Sequence, residues 1–131
     1  MAKFKDADKR SWSLKVTVGS LKKVKEDTDI DLGFIVSGKL QKLQDILEDP
    51  FSLAAVLYSL CEDQAEEREI SPDDFAGMLF GETFEKAVEA LIDSIVDFYP
   101  RQKSQVLRDA LAKERAKQEQ EMEKTLEELQ G

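Results

Sequence analysis

The chain has 131 residues, of which 41% are apolar and 36% charged, and its formal net charge is −9. This length and apolar content suffice for one domain with its own core. The absence of histidine excludes histidine-dependent hydrolysis and most zinc chemistry. The acidic balance argues against a nucleic-acid partner, because the chain would repel phosphate backbones.

The single cysteine, Cys61, fits a reducing compartment, since it cannot form an internal disulfide. It lies in the apolar run "FSLAAVLYSLC", which favours a buried thiol over a nucleophile. No stretch has the length of a membrane span, and the first ten residues lack the apolar segment of a signal peptide. We therefore expect a cytoplasmic protein without a membrane partner.

The N-terminal stretch "KFKDADKRSWSLKVTV" predicts a β-hairpin. Its second strand has apolar residues at every other position, the period of a half-buried strand. These residues are Trp12, Leu14, Val16 and Val18. Residues 3–5, around Phe4, supply the partner strand, and "DAD" supplies the turn. Because two strands are marginal alone, the apolar face of the hairpin must rest on helices.

The stretch "DTDIDLG" begins like a calcium loop, with Asp27, Asp29 and Asp31 at the first three ligand positions. The sixth position holds Leu32 instead of glycine, and the twelfth holds Gly38, which has no side-chain ligand. We therefore predict no metal site here. The expected role is local, with Asp29 or Asp31 capping a helix N-terminus.

Residues 20–47 change to a helical period. Ser20 is predicted to cap a short helix that carries Leu21 and Val24 on one face. "LGFIV" is expected to form a helical turn, with a short strand as the alternative, and to bury Leu32, Phe34 and Ile35. In the following helix, Leu40, Leu43 and Leu47 are predicted to face inward, with Gln41, Lys42, Gln44 and Asp45 outside.

Two proline-marked helix starts follow. Asp49 caps a helix with Pro50 in its first turn, and its apolar run over residues 51–61 predicts a central, buried helix. Ser71 caps a second helix with Pro72 in its first turn. In that second helix, Phe75, Met78 and Leu79 are expected to face inward and Gly81 to end it.

The segment "ETFEKAVEALIDSIVDFYP" predicts the most regular amphipathic helix of the chain. Its apolar face comprises Phe84, Val88, Leu91, Ile95 and Phe98, widened by Ala87, Ile92 and Tyr99. Pro100 should end this helix or bend it into the last one.

The C-terminal segment keeps an apolar face through Val106, Leu107, Ala110 and Leu111 and then becomes highly charged. A weaker stripe returns at Met122, Leu126 and Leu129. A heptad repeat through these three meets Arg115 and Glu119 at its seam, so a continuous coiled coil is not expected. Strong helix formers with interleaved charges predict a solvated helix that projects from the domain.

Together these elements predict a mainly α (α+β) fold. A short N-terminal hairpin packs on a small helical bundle, followed by a long charged C-terminal helix. The hairpin and bundle would form a domain over residues 1–111, and residues 112–131 a charged extension.

The sequence contains no phosphate-binding loop, nucleophile elbow or paired-cysteine site. We therefore predict no catalytic residues, no cofactor and no metal, and a protein that acts by binding another protein. The candidate contact residues are Met122, Leu126 and Leu129.

Three stretches form a pattern that spans residues 4–111: "RSWSLKVTVGSLKKVKEDTDIDL", "LQDILEDPFSLAAVLYSLCEDQAEEREISPDDFAGMLFG" and "AVEALIDSIVDFYPRQKSQVLRDAL". This pattern resembles small proteins of tailed-phage and prophage tail-module clusters, of the tail assembly chaperone type. The resemblance implies a helper that holds the helical tape-measure protein and recruits tail-tube subunits. The last twenty residues have no counterpart in it.

Two other non-enzymatic functions remain open at this stage. One is a minor structural tail or connector component that stays in the particle. The other is a small regulatory protein-binding module. The sequence also leaves self-association open.

Overall fold

The computed structural model describes residues 2–33 and 40–130. The predictions for Phe34 and Ile35, and for the rest of "LGFIV" after Gly33, lie outside the described residues. The elements in chain order are β1 (Ala2–Lys5), β2 (Ser11–Leu14), α1 (Val18–Thr28), α2 (Leu40–Glu48), α3 (Pro50–Glu67), α4 (Pro72–Gly77), α5 (Gly81–Phe98) and α6 (Arg101–Gln130). This order confirms the predicted fold class, a hairpin followed by helices with a long helix last.

The two strands are antiparallel, with Phe4 opposite Trp12 and Ala2 opposite Leu14. One face of the hairpin, including these four side chains, is buried against the helices. β1 packs mainly on α5, whereas β2 also packs on α3. The prediction that the strand continues through Val16 and Val18 is wrong, because the chain leaves the sheet after Leu14. Val16 is buried outside the strand, and Val18 begins α1 and is exposed.

The hairpin turn is organised by the buried carboxylate of Asp6. One oxygen accepts the backbone N–H groups of Asp8 and Arg10, each at 2.9 Å. The other accepts Arg10 Nε at 2.7 Å and Trp12 Nε1 at 3.0 Å. Burial alone would raise the pKa of Asp6, but these hydrogen bonds and the Arg10 charge outweigh it, and the pKa lies below its ordinary value.

Trp12 joins the hairpin to the helices. Its ring meets Phe75 of α4 edge to face, with centroids 5.1 Å apart, and the guanidinium of Arg68 lies 4.6 Å from the ring centroid. Gln64 of α3 bonds both backbone groups of Ser13, at 2.9 Å each. This side chain therefore covers the outer edge of β2 and fixes the hairpin against α3.

The caps of α1 differ from the predicted ones. Thr17 is the N-cap, and Ser20 is its partner three residues later in a reciprocal capping box. Asp29 lies at the C-terminal end of the same helix in a left-handed conformation, with φ of 62°. Of the two predicted N-caps, Asp29 is therefore wrong, since its backbone ends a helix, whereas Asp31 directly precedes the helical residues Leu32 and Gly33.

Asp27 is engaged in contacts that hold α1 against α3. It accepts hydrogen bonds from Lys23 Nζ at 2.6 Å and from the buried Ser59 hydroxyl at 2.8 Å. Lys23 also bonds Glu62 at 3.1 Å. The bond to Lys23 holds the pKa of Asp27 below its ordinary value, and the bond to Asp27 raises the pKa of Lys23.

α3 is the central helix, and within the described ranges it packs against α1, α2, α4 and α5. Asp49 caps it by accepting the Phe51 N–H at 3.1 Å, and Pro50 is its first residue, as predicted. Leu53, Val56, Leu57 and Cys61 are fully buried. Phe51 is an exception to the predicted buried run, because it lies at the exposed start of the helix, with 87% of its surface accessible.

In α2, Leu43 and Leu47 are buried as predicted, and Gln41, Lys42 and Asp45 are exposed. The side chain of Leu40 lies outside the described residues. Gln44, predicted to face solvent, is buried because α2 packs on both α3 and α6.

Ser71 caps α4 as predicted, and Phe75 is buried, with Met78 and Leu79 partly buried against the core. The predicted role of Gly81 is wrong: α4 ends at Gly77, and Gly81, with φ of 55°, is the first residue of α5.

The predicted apolar face of α5 is confirmed. Its middle, around Leu91 and Ile95, is buried, and Phe84, Phe98 and Tyr99 are partly buried against the core. The helix ends before Pro100, with Tyr99 in an extended conformation that suits a residue before proline.

α6 begins directly after Pro100 and runs without a break through residues 111 and 112. Leu107 and Leu111 are buried against α5 and α2, whereas Val106, predicted on the same face, is 69% exposed. Every described side chain from Ala116 to Gln130 is exposed. The division into a domain and an extension at residue 112 stays a prediction.

Replacement of Asp6 by Asn should lower the free energy of unfolding by about 2 kcal/mol near neutral pH, because one amide cannot accept all four hydrogen bonds. The pKa of Asp6 is lowered by folding, so its contribution is present above the unfolded-state pKa of about 4 and is lost as the pH falls below it. Urea unfolding at about pH 6 and about pH 3 should therefore show a smaller pH effect in the variant. An equal pH effect in both proteins would contradict this account.

Replacement of Gly81 by Ala should cost about 1 kcal/mol, because an L side chain is strained at positive φ although its Cβ would meet no neighbour. Gly77 is the matched control, since its backbone is not at positive φ and a Cβ there also meets open space. Gly77→Ala should leave the melting temperature unchanged or slightly higher. Equal losses in the two variants would exclude backbone strain as the cause.

Candidate partner-binding site

The three predicted contact residues, Met122, Leu126 and Leu129, are exposed by 66%, 51% and 78%. They lie on the same side of α6 as Leu107 and Leu111, because steps of three, four, seven or eleven residues return to one helix face. The bundle covers this face at Leu107 and Leu111 and leaves it open further along the helix.

A groove with a volume of about 690 Å³ lies between this open part of α6 and the helices α2 and α5. We call it the α2–α5–α6 groove. It is lined by Gln44, Leu47, Glu48, Phe84, Glu85, Val88, Arg115, Glu119, Glu121, Met122 and Thr125. Of the three predicted contact residues it includes Met122, whereas Leu126 and Leu129 continue the apolar face beyond it.

The helical period explains which side chains line the groove. On α2, Leu47 and Glu48 lie three and four positions after Gln44, and on α5 Val88 lies four positions after Phe84. On α6, Arg115, Glu119 and Met122 follow the same spacing. Leu47 and Val88 are buried and form the floor, and Phe84 and Met122 are the accessible apolar side chains. The groove therefore has an apolar base between three helices.

The rim of the groove is acidic. Four glutamates line it, against the single cation Arg115. Within the described part of the chain, Glu85, Glu119 and Glu121 form no ion pair. The acidic character continues along α6, because residues 118–131 contain five glutamates and one lysine. An apolar base with an acidic rim is suited to a ligand that carries positive charge beside an apolar face.

The groove also contains a buried polar atom without a partner. Gln44 is 4% exposed, and its Oε1 accepts no hydrogen bond from any described residue. Its Nε2 lies 3.5 Å from Glu48 Oε1, which is the outer limit of a hydrogen bond. An unpaired buried carbonyl oxygen costs about 1–3 kcal/mol, so this atom stands out, because the other buried polar side chains among the described residues are bonded.

A second, smaller cavity of about 310 Å³ lies between the hairpin and α5. Its buried polar side chain, Ser94, already donates to the Leu91 carbonyl at 2.8 Å. Only Lys15 and Asp97 among its lining residues are charged. This cavity therefore lacks both the acidic rim and the unpaired acceptor of the α2–α5–α6 groove.

The cysteine lies away from the groove. Cys61 is fully buried, as predicted, and burial raises the pKa of its thiol to about 12, so it stays protonated at neutral pH. Among the described residues, no three acidic or cysteine side chains are placed to hold a metal ion. No helix in the described ranges has the length and apolar content needed to cross a membrane.

Comparison with protein-family models, with curated proteins and with solved structures found no match.

Sequence reasoning found Met122 but missed Gln44 as a residue of the site. A signal was present, since Gln44 occupies the i+4 position in the i, i+3, i+4, i+7 pattern that starts at Leu40. Arg115 and Glu119, the residues that interrupt the heptad repeat, also line the groove. Phe84 and Val88 were predicted only as core residues.

Replacement of Gln44 by Met should raise the free energy of unfolding by about 1 kcal/mol, because it removes a buried unpaired acceptor and keeps the side-chain length. Chemical denaturation followed by circular dichroism would measure this change. Gln41→Met is the matched control on the exposed side of α2 and should have little effect. A loss of stability in Gln44→Met would show that the amide makes a stabilising contact in the free protein.

Proposed function

We propose that this protein is a non-enzymatic binding protein for helical segments of other proteins. The apolar face of α6 supports this, because it continues past the bundle and borders an apolar groove. A helix needs an apolar surface of this kind to bury its own stripe of residues. Met122, Leu126 and Leu129 would supply the free side of the contact, with Phe84 opposite them.

The biological role we propose is that of a tail assembly chaperone-like protein in phage tail morphogenesis. Its partners would be tape-measure or tail-tube subunits in the host cytoplasm. A tape-measure protein has long helical stripes that would be exposed before a tail tube encloses them. An acidic carrier with an open apolar groove would shield such stripes and keep the complex soluble.

The direct test is co-expression of this protein with tape-measure and tail-tube proteins, followed by co-purification and mapping of the bound segment. Retention of a helical tape-measure segment supports the proposal. If neither protein is retained, the assembly role is excluded. Stoichiometric amounts in purified mature particles would instead identify a structural component.

The apolar face can be tested by the triple change Met122→Gln, Leu126→Gln and Leu129→Gln, which keeps charge and helix propensity nearly constant. Because the three side chains are exposed, the melting temperature should change little. Affinity for the bound segment should fall tenfold or more, since burying one such side chain is worth about 1.5–3 kcal/mol and about 1.4 kcal/mol is tenfold.

Val106→Gln is the control for this experiment. Val106 is an equally exposed apolar residue of the same helix, but it lies about 160° around the helix from Met122 at 100° per residue. It should leave the affinity unchanged. Equal losses in the triple variant and in Val106→Gln would show that no particular face of α6 is used.

A further inference from the structure

The charges and the unpaired acceptor of the α2–α5–α6 groove point to one kind of occupant. We infer that the groove binds a basic amphipathic helix whose inner face carries one polar side chain that donates a hydrogen bond to Gln44. This inference rests on the proposed helix-binding function and specifies its partner. Three features of the groove support this inference: its volume, its charge and the buried amide.

The volume of the groove is large enough for a helix that is half embedded. A helix with its side chains is about 10–12 Å across, so half of its cross-section is about 45 Å². The volume of about 690 Å³ therefore corresponds to roughly 15 Å of such a helix, or about three turns. Three turns bring an i, i+3, i+4, i+7 stripe of the ligand onto Leu47, Phe84, Val88 and Met122.

The charge of the rim selects a basic ligand. Glu85 of α5 and Glu119 and Glu121 of α6 stand on two sides of the apolar base and form no ion pairs within the described residues. Lysine and arginine at the flanks of a bound helix would meet these carboxylates. An acidic helix would face repulsion from both sides, on a protein whose net charge is already −9.

Gln44 adds a specific polar contact at the base. Its Oε1 is buried and has no partner among the described residues, although it lines the groove. Because this oxygen has almost no accessible surface in the free protein, the amide must turn toward the groove before a ligand with a glutamine, asparagine or lysine at the matching position can donate to it. A site with an unpaired buried acceptor favours a ligand that can donate over one that is apolar throughout. Gln44 would therefore act as a specificity-determining residue.

The test uses the full-length protein and designed peptides of about 15 residues, long enough for about four helical turns. The basic peptide has leucines on one helix face and lysines elsewhere, and the matched acidic peptide replaces every lysine with glutamate. Fluorescence anisotropy of labelled peptides should give an affinity at least about tenfold higher for the basic peptide, and this difference should shrink as salt is added.

Two double variants that change the net charge by the same amount show whether binding occurs in the groove. Glu85→Lys with Glu119→Lys reverses the charge at two positions of the rim and should weaken binding of the basic peptide about tenfold. Asp63→Lys with Glu67→Lys makes the same charge change on the exposed side of α3 and should weaken binding of the basic peptide less than about twofold. Circular dichroism and melting curves check that each variant is folded. Equal weakening by the two pairs would overturn the inference, because binding would then follow net charge alone.

The hydrogen bond is tested by moving one glutamine through the leucine positions of the basic peptide. At one position, the loss of affinity caused by replacing leucine with glutamine should be at least about threefold smaller for the wild-type protein than for Gln44→Met. If no position shows this coupling, Gln44 does not select the ligand. If the basic and acidic peptides bind equally well, the basic-helix inference is wrong, but the proposed helix-binding function stands. If neither peptide binds, the proposed function itself is contradicted.

Sedimentation velocity of the protein alone tests whether a second copy of this chain occupies the groove. We expect no self-association that depends on the rim glutamates. A dimer that dissociates in Glu85→Lys with Glu119→Lys would show that the groove binds another copy of this chain, and the basic-helix inference would then be wrong.

Discussion

The last helix has one apolar face, and the bundle covers only the first part of it. Leu107 and Leu111 are buried on α5 and α2, whereas Met122, Leu126 and Leu129 continue the same face in solvent. Because this helix is continuous from Arg101 to Gln130, the packing of its first turns sets the direction of its free end. The groove and the proposed function depend on this one arrangement.

Specific contacts fix the hairpin and α1 on the bundle that holds the last helix. Trp12 joins the Asp6 turn to Phe75, and Gln64 fixes the edge of β2 to α3. The contacts of Asp27 with Lys23 and Ser59 tie α1 to α3 on another side. The Gln64–Ser13 and Ser59–Asp27 bonds join residues that are far apart in the chain, so they specify one packing of the elements beyond what apolar burial alone would require.

Five carboxylates of this chain show two different roles. Asp6 and Asp27 are bonded to several donors, which lowers the pKa of each, and they act in the structure. Glu85, Glu119 and Glu121 have no ion-pair partners within the described residues and surround the groove. Counting acidic residues in the sequence cannot separate these groups, because the difference lies in what each carboxylate meets after folding.

Local interactions let the sequence alone determine much of this protein. The Asp49 and Ser71 caps, the break at Pro100, the hairpin and the apolar face of α5 all depend on residues within a few positions of each other. Only the tertiary structure decided that Gln44 is buried, that Val106 is exposed, and that Arg115 and Glu119 border a groove. Each of those outcomes depends on where a distant helix crosses, and the helical period fixes only which side of its own helix a residue occupies.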